Sequence, residues 1–171
     1  MDYSSTTELR LDVWNDSGTF LADNDLTDRP SDGTFEVNVN LVNIPGGGSS
    51  NDHARIRQLE DFSNTIQFVV DNQRQLYETI LDCAQREYDK ALVDKDAYDP
   101  EMVDLYLPPV NSRDDLKALL LPLNIHVGCT DEEGVKYVAY EFDCSWDDEH
   151  GFGVRMNGFE VEESGHASVG F

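Results

Sequence analysis

The chain has 171 residues, 39% of them hydrophobic and 27% charged, enough for one buried core and too apolar for a disordered segment. Its 35 acidic side chains outnumber 12 basic ones, for a formal net charge of −23. Such a surface repels nucleic-acid phosphates and anionic lipid, and it attracts cationic partners.

Met1 to Glu8 lacks both a basic region and an apolar core, so no signal peptide is expected there. Leu9, Leu11 and Val13 then alternate with charged residues, as do Phe35, Val37, Val39 and Leu41 with Glu36, Asn38 and Asn40. A period of two predicts half-buried strands. Between them, Asn15-Asp16-Ser17-Gly18 and Arg29-Pro30-Ser31-Asp32-Gly33 read as turns in a long polar loop. Asp23-Asn24-Asp25-Leu26-Thr27-Asp28 fails as a calcium loop, because Asp28 stands where that motif needs Gly and Thr34 where it needs Glu. The connector Gly46-Gly47-Gly48 lacks the lysine of a phosphate loop.

From Asn51 to Leu92 the period becomes helical. Ile56, Leu59, Phe62, Ile66 and Val69 recur at three or four residues, followed by Leu76, Ile80, Ala84 and Tyr88, with a break expected at Asp71-Asn72. Val93 to Val110, with Pro100, Pro108 and Pro109, reads as a surface linker. Ser112 and Asp115 are spaced as an N-cap and its third position, opening a short helix with Leu116, Leu119 and Leu120. The run Ala118 to Leu123 is too short to cross a bilayer, which needs about 20 apolar residues.

A hairpin turning at Asp131-Glu132-Glu133-Gly134 would set Val127 against Val138, Ile125 against Tyr140 and Leu123 against Phe142. The same register sets Cys129 opposite Lys136 and Cys144 opposite Leu121. A second hairpin at Asn157-Gly158 would pair Met156 with Phe159, Arg155 with Glu160 and Val154 with Val161. The expected fold is α+β: an antiparallel β-meander with two long helical segments and a short helix packed on one face. Residues 1–171 form one expected domain, divided into N-terminal strands (8–42), a helical segment (51–92), a linker with a short helix (93–121) and the meander (122–164). The cysteines, Cys83, Cys129 and Cys144, are odd in number and lack C-x-x-C spacing. Neither a disulfide framework nor a zinc ribbon is expected; reduced thiols and a cytoplasmic location are.

The segment joining the two hairpins holds the densest chemistry. Trp146, Asp147, Asp148, Glu149, His150, Gly151 and Gly153 crowd one stretch, and extending the second ladder sets position 150 opposite 165, bringing His166 close. Asp147, Glu149, His150 and His166 are donors suited to a divalent metal or an acid and base pair. The plainer alternative is a structured loop whose carboxylates accept backbone hydrogen bonds and whose glycines permit close packing. Trp146 is either a core plug or a partner anchor. His126, diagonal to Glu141, reads as a surface cross-strand contact. From Tyr137 onward, Arg155 is the one basic residue against Glu141, Asp143, Asp147, Asp148, Glu149, Glu160, Glu162 and Glu163. That is a candidate docking face for a basic protein, or a solvated surface that maintains solubility.

Ser31-Asp32-Gly33-Thr34-Phe35-Glu36-Val37, the run Ile80 to Tyr88 and above all Tyr140 to Val154 resemble a bacterial family of unknown function with a C-terminal Cys-x-Trp-Asp-x-Glu-His-Gly-x-Gly-Val signature. The resemblance covers the chain from about Glu8 onward, and its closing Glu163 to Val169 departs from the family's usual tail. It implies a stand-alone cytoplasmic protein, similar in some cases to immunity proteins that neutralise toxins, and it assigns no roles to the signature residues. The functional expectation is an acidic protein-binding domain, not an enzyme and with no cofactor, whose partner is a basic protein such as a toxin. The alternative is a metal-binding or metal-dependent hydrolytic domain using the Trp146 to His150 loop with a divalent metal. Mimicry of DNA is a minor third reading.

Overall fold

The computed structural model describes residues 7–19, 30–40, 49–128 and 137–170. Among them, six strands form one sheet in chain order: β1 (Thr7–Thr19), β2 (Pro30–Asn40), β3 (Leu120–Gly128), β4 (Tyr137–Cys144), β5 (Asp147–Asn157) and β6 (Glu160–Gly165). Helices α1 (Ser49–Asp71), α2 (Gln73–Val93), α3 (Val103–Tyr106) and α4 (Arg113–Lys117) all fall between β2 and β3. The fold is α+β, but the sheet is mixed. β3 to β6 form an antiparallel meander, whereas β2 runs parallel to β3, with Val37 opposite Ile125 and Val39 opposite Val127. The expectation of a purely antiparallel meander is corrected here. Parallel neighbours need a long crossover, and the helical segment between β2 and β3 supplies it.

The ladder brings Val37, Ile125, Tyr140 and Val154 into one cross-sheet row and Phe142 beside Phe152. Against that apolar face α2 packs Leu76, Ile80, Ala84 and Tyr88, joined in the buried cluster by its flanking Leu81 and Cys83. Each fully buried leucine or isoleucine contributes about 1.5–3 kcal/mol. The two long helices part at Asn72, whose backbone and side-chain N–H groups both donate to the Phe68 carbonyl at 3.0 and 2.8 Å. Phe62 and Ile66 of α1 lie at the core margin, while the side chains of Ile56 and Leu59 fall outside the described residues. At α4 the Ser112 hydroxyl accepts from the Asp115 N–H at 3.1 Å, as an N-cap does.

Bulges account for most departures from the sequence reading. In β1 the register shifts between Arg10 and Asn15, so the alternation changes phase and Trp14 turns inward. It packs on Phe35, Tyr77 and Phe142 with centroids 6.4, 4.8 and 4.8 Å away. The turn chemistry of Asp32-Gly33 is absorbed within β2: Asp32 Oδ1 accepts from the Thr34 N–H at 3.0 Å, and Gly33 takes a φ of 74°. In β3 a shift between Pro122 and Asn124 sets Pro122, not Leu123, against Phe142, and Leu120, not Leu121, against Cys144. Proline cannot donate to the ladder, so an irregularity there is physically natural.

The second hairpin turns one residue later than expected. Asn157 pairs with Glu160 and Met156 with Val161, leaving Gly158 (φ 59°) and Phe159 as the two-residue loop. Glycine at the first loop position with negative φ at the second is the type II′ pattern. A further shift pairs Arg155 with Glu163, Val154 with Ser164 and Gly153 with Gly165. The expected turn at Asp131 to Gly134, Cys129 and Lys136, the Asp23 to Asp28 segment and the Gly46 to Gly48 connector lie outside the described residues. No helix among the described residues is long and apolar enough to cross a membrane.

Candidate functional site

The segment expected to be a loop is mostly strand. β4 ends at Cys144, Ser145 and Trp146 make a tight turn, and β5 begins at once with Asp147 opposite Cys144. The Ser145 N–H donates to the Leu119 carbonyl at 3.1 Å, tying the turn to the residue before β3. Trp146 is a core plug: it is 6% exposed, meets Tyr88 edge-on at 5.8 Å and lies 5.9 Å from Phe152. Its carbonyl accepts from the Tyr98 hydroxyl at 2.7 Å.

Between the pairs Cys144–Asp147 and Phe142–Phe152, Asp148 to Gly151 on β5 face the single residue Asp143 on β4. The extra residues must bulge outward, which exposes Asp148, Glu149 and His150. Gly151 closes the bulge with a φ of 65°, and a Cβ there would lie 2.6 Å from the Phe142 carbonyl oxygen. Asp147 organises the inside of the bulge, its Oδ1 accepting from the His150 N–H at 3.0 Å.

Past β6 the chain returns over β5 as a 3-10 turn, Ala167–Gly170. Gly153 makes room for it, since a Cβ there would lie 2.9 Å from Ala167 Cα, the His166 carbonyl oxygen and Val169 Cγ2. The returning chain carries His166 to the bulge. Nδ1 of His150 is 3.0 Å from Asp147 Oδ1, Nε2 of His166 is 3.5 Å from Asp147 Oδ2, and the two rings stack at 4.8 Å with 17° between their planes. One donor atom from each of the three lies within 4.8 Å of the others. Glu149 is not part of this group. Asp148 instead accepts from the Tyr106 hydroxyl at 3.4 Å.

The segment 93–110 is not a simple surface linker. Tyr98, Tyr106, Leu107 and Val110 pack on the core, and Tyr88 donates its hydroxyl to the Pro108 carbonyl. Tyr98 reaches the Trp146 carbonyl and Tyr106 reaches Asp148, so the segment that carries the exposed Asp94, Asp96, Asp99, Glu101 and Asp104 is tied at two points to the start of β5. Burial, followed by the negative field of Asp147, Cys144, Asp94 and Asp148, pushes the Tyr98 phenol above its ordinary value. On the neighbouring hairpin, Arg155 is engaged by Glu162 at 3.3 Å and Glu163 at 3.0 Å. Sequence reasoning recognised the acidity after Tyr137 and missed that the acidic 94–104 segment is tied to it, because nothing local signals that two tyrosines bridge the stretches.

His126 and Glu141 form a buried contact, correcting the surface reading: Nε2 and Oε2 are 3.0 Å apart, with both side chains 7% exposed. Asn124 donates to the same Glu141 oxygen at 2.8 Å, and Asn38 donates to Asn124 at 3.2 Å. This polar row lies on the sheet face away from the α2 core, level with Gly153. Cys83 and Cys144 are free and buried, and burial raises both thiols above their ordinary range.

The chain belongs to the family defined by a domain of unknown function, DUF6985, whose profile matches residues 11–171. Comparison with curated proteins and with solved structures found no match.

Proposed function

We propose, starting from that family membership, that the chain is an acidic protein-binding domain that docks a basic partner at the end of the sheet carrying the β5 bulge. The observation that carries this reading is that the segment holding the acidic stretch 94–104 is tied to the acidic start of β5, the Tyr98 hydroxyl donating to the Trp146 carbonyl and the Tyr106 hydroxyl to Asp148. In 94–104 five carboxylates accompany one lysine, Lys95, and the nearby hairpin's Arg155 is already engaged by its own glutamates. A contiguous field of one sign steers oppositely charged proteins and raises the rate of encounter. Half-buried Tyr98 and Tyr106 supply aromatic area within the same patch. The narrower reading is an immunity-type inhibitor that covers a basic site on a toxin; it rests on the signature Cys144 to Val154 and its resemblance to immunity-like domains. Free Cys83 and Cys144 support work in the reducing cytoplasm.

The test pairs the chain with a basic protein encoded beside it, by co-expression and by association kinetics at graded ionic strength. Rescue of growth is expected if that partner is a toxin. The association rate should fall as salt rises and drop about tenfold when Asp148 and Glu149 are changed to lysine. Association indifferent to both salt and charge reversal would refute the acidic docking face.

A further inference from the structure

We propose that Asp147, His150 and His166 form a binding site for a transition-metal dication of the zinc type, which clamps the C-terminal 3-10 turn to the β5 bulge. Two imidazoles and one carboxylate are a donor set suited to zinc and its borderline neighbours, whereas calcium and magnesium take oxygen ligands. Donors at about 2.1 Å from a tetrahedral ion stand about 3.4 Å apart. His150 Nδ1 stands 3.0 Å from Asp147 Oδ1 and His166 Nε2 3.5 Å from Asp147 Oδ2, so each imidazole has a carboxylate oxygen near that spacing. The widest donor separation of 4.8 Å closes by rotation of the imidazoles, whose side chains are 57% and 62% exposed.

Two features fix the frame. Asp147 sits in the ladder opposite Cys144, its side chain only 24% exposed, and already holds the His150 backbone. The His166 backbone is seated against Gly153, so the donors approach from two segments that the fold itself brings together. Three protein donors leave a coordination position open to water or to a group from another molecule. The site shares only Asp147 with the docking reading, whose other carboxylates are Asp148, Glu149 and those of the 94–104 segment, so the histidine substitutions test it separately.

The test is thermal unfolding and calorimetric titration of the chelator-treated protein with zinc, manganese and calcium. Zinc in about hundredfold excess over its Kd should raise Tm by about 5–10 °C, with calcium giving little. His150→Ala and His166→Ala should each abolish most of that rise while leaving the metal-free Tm nearly unchanged. Asp147→Asn, which keeps an oxygen for the His150 N–H, should weaken zinc binding at least tenfold. Zinc should also slow hydrogen exchange at the Val169 amide, which donates to the His166 carbonyl at 3.1 Å. A flat zinc titration, an equal response to calcium, or a rise that survives both histidine substitutions would overturn the proposal, the last two by assigning binding to the general acidic surface.

Discussion

Substituting Gly153 by alanine isolates the contact on which the C-terminal half of the site depends. The backbone there is not left-handed, so the perturbation is crowding alone. The added carbon would stand 2.9 Å from Ala167 Cα, the His166 carbonyl oxygen and Val169 Cγ2, against about 3.5–4.0 Å at an optimal contact. Two of those three atoms are backbone, so the 3-10 turn must lift by about 0.6–1 Å instead of one side chain rotating aside. Overpacking of this kind costs about 1–3 kcal/mol. Reduced freedom of the unfolded chain offsets about 0.4–1 kcal/mol, so the middle of both ranges leaves a net loss of about 1.3 kcal/mol. Urea unfolding followed by tryptophan fluorescence measures it, with hydrogen exchange at Val169 reporting the lift locally. Two neighbouring glycines calibrate the series. Gly158→Ala meets nothing within 4 Å and incurs only left-handed strain, about 1 kcal/mol, whereas Gly151→Ala combines that strain with a 2.6 Å approach to the Phe142 carbonyl and should be the most damaging. A Gly153→Ala protein within about 0.5 kcal/mol of wild type, with unchanged protection at Val169, would show that the turn is not seated through this glycine.

The buried polar row and the buried thiol give two further expectations. Glu141→Ala removes the carboxylate that His126 and Asn124 both approach, and it should cost about 1–3 kcal/mol. A double-mutant cycle with His126→Ala should return a coupling of about 1–3 kcal/mol, and a value below about 0.5 would mean the contact contributes nothing specific. Burial, the largest influence on Cys144, raises its thiol above the ordinary value of 9.0. A raised folded value means the stabilisation is complete below the unfolded pKa and is lost as pH climbs past it, because the unfolded chain ionises while the folded one does not. Stability should therefore decline from about pH 9 upward, and Cys144→Ala should reduce that slope. Rapid alkylation of Cys144 in the native protein at neutral pH would contradict its burial.

Local patterns in the chain were sufficient for the two long helices, the break at Asn72, the Ser112 cap and the apolar pairs Ile125–Tyr140 and Val127–Val138. Each depends on near neighbours or on a two-residue period that a single strand carries in itself. Trp14 escaped because one bulge reverses which residues face inward, and the alternation of Leu9, Leu11 and Val13 carries no sign of where it stops. Bulges at Pro122, Arg155 and Asp148 to Gly151 likewise moved every pairing beyond them.

For the candidate site, the residue types were legible and their arrangement was not. The sequence by itself determined the strong negative charge, the α+β character and the cluster Asp147, Glu149 and His150 within a few residues of one another. Only the tertiary structure decided that Trp146 is a plug, that Glu149 stands apart from Asp147, His150 and His166, and that Tyr98 and Tyr106 tie the segment after α2 to Trp146 and Asp148. The reason is physical: composition and periodicity are properties of one segment, whereas a bulge, a parallel neighbour or a chain laid across Gly153 arises when distant segments compete for the same space.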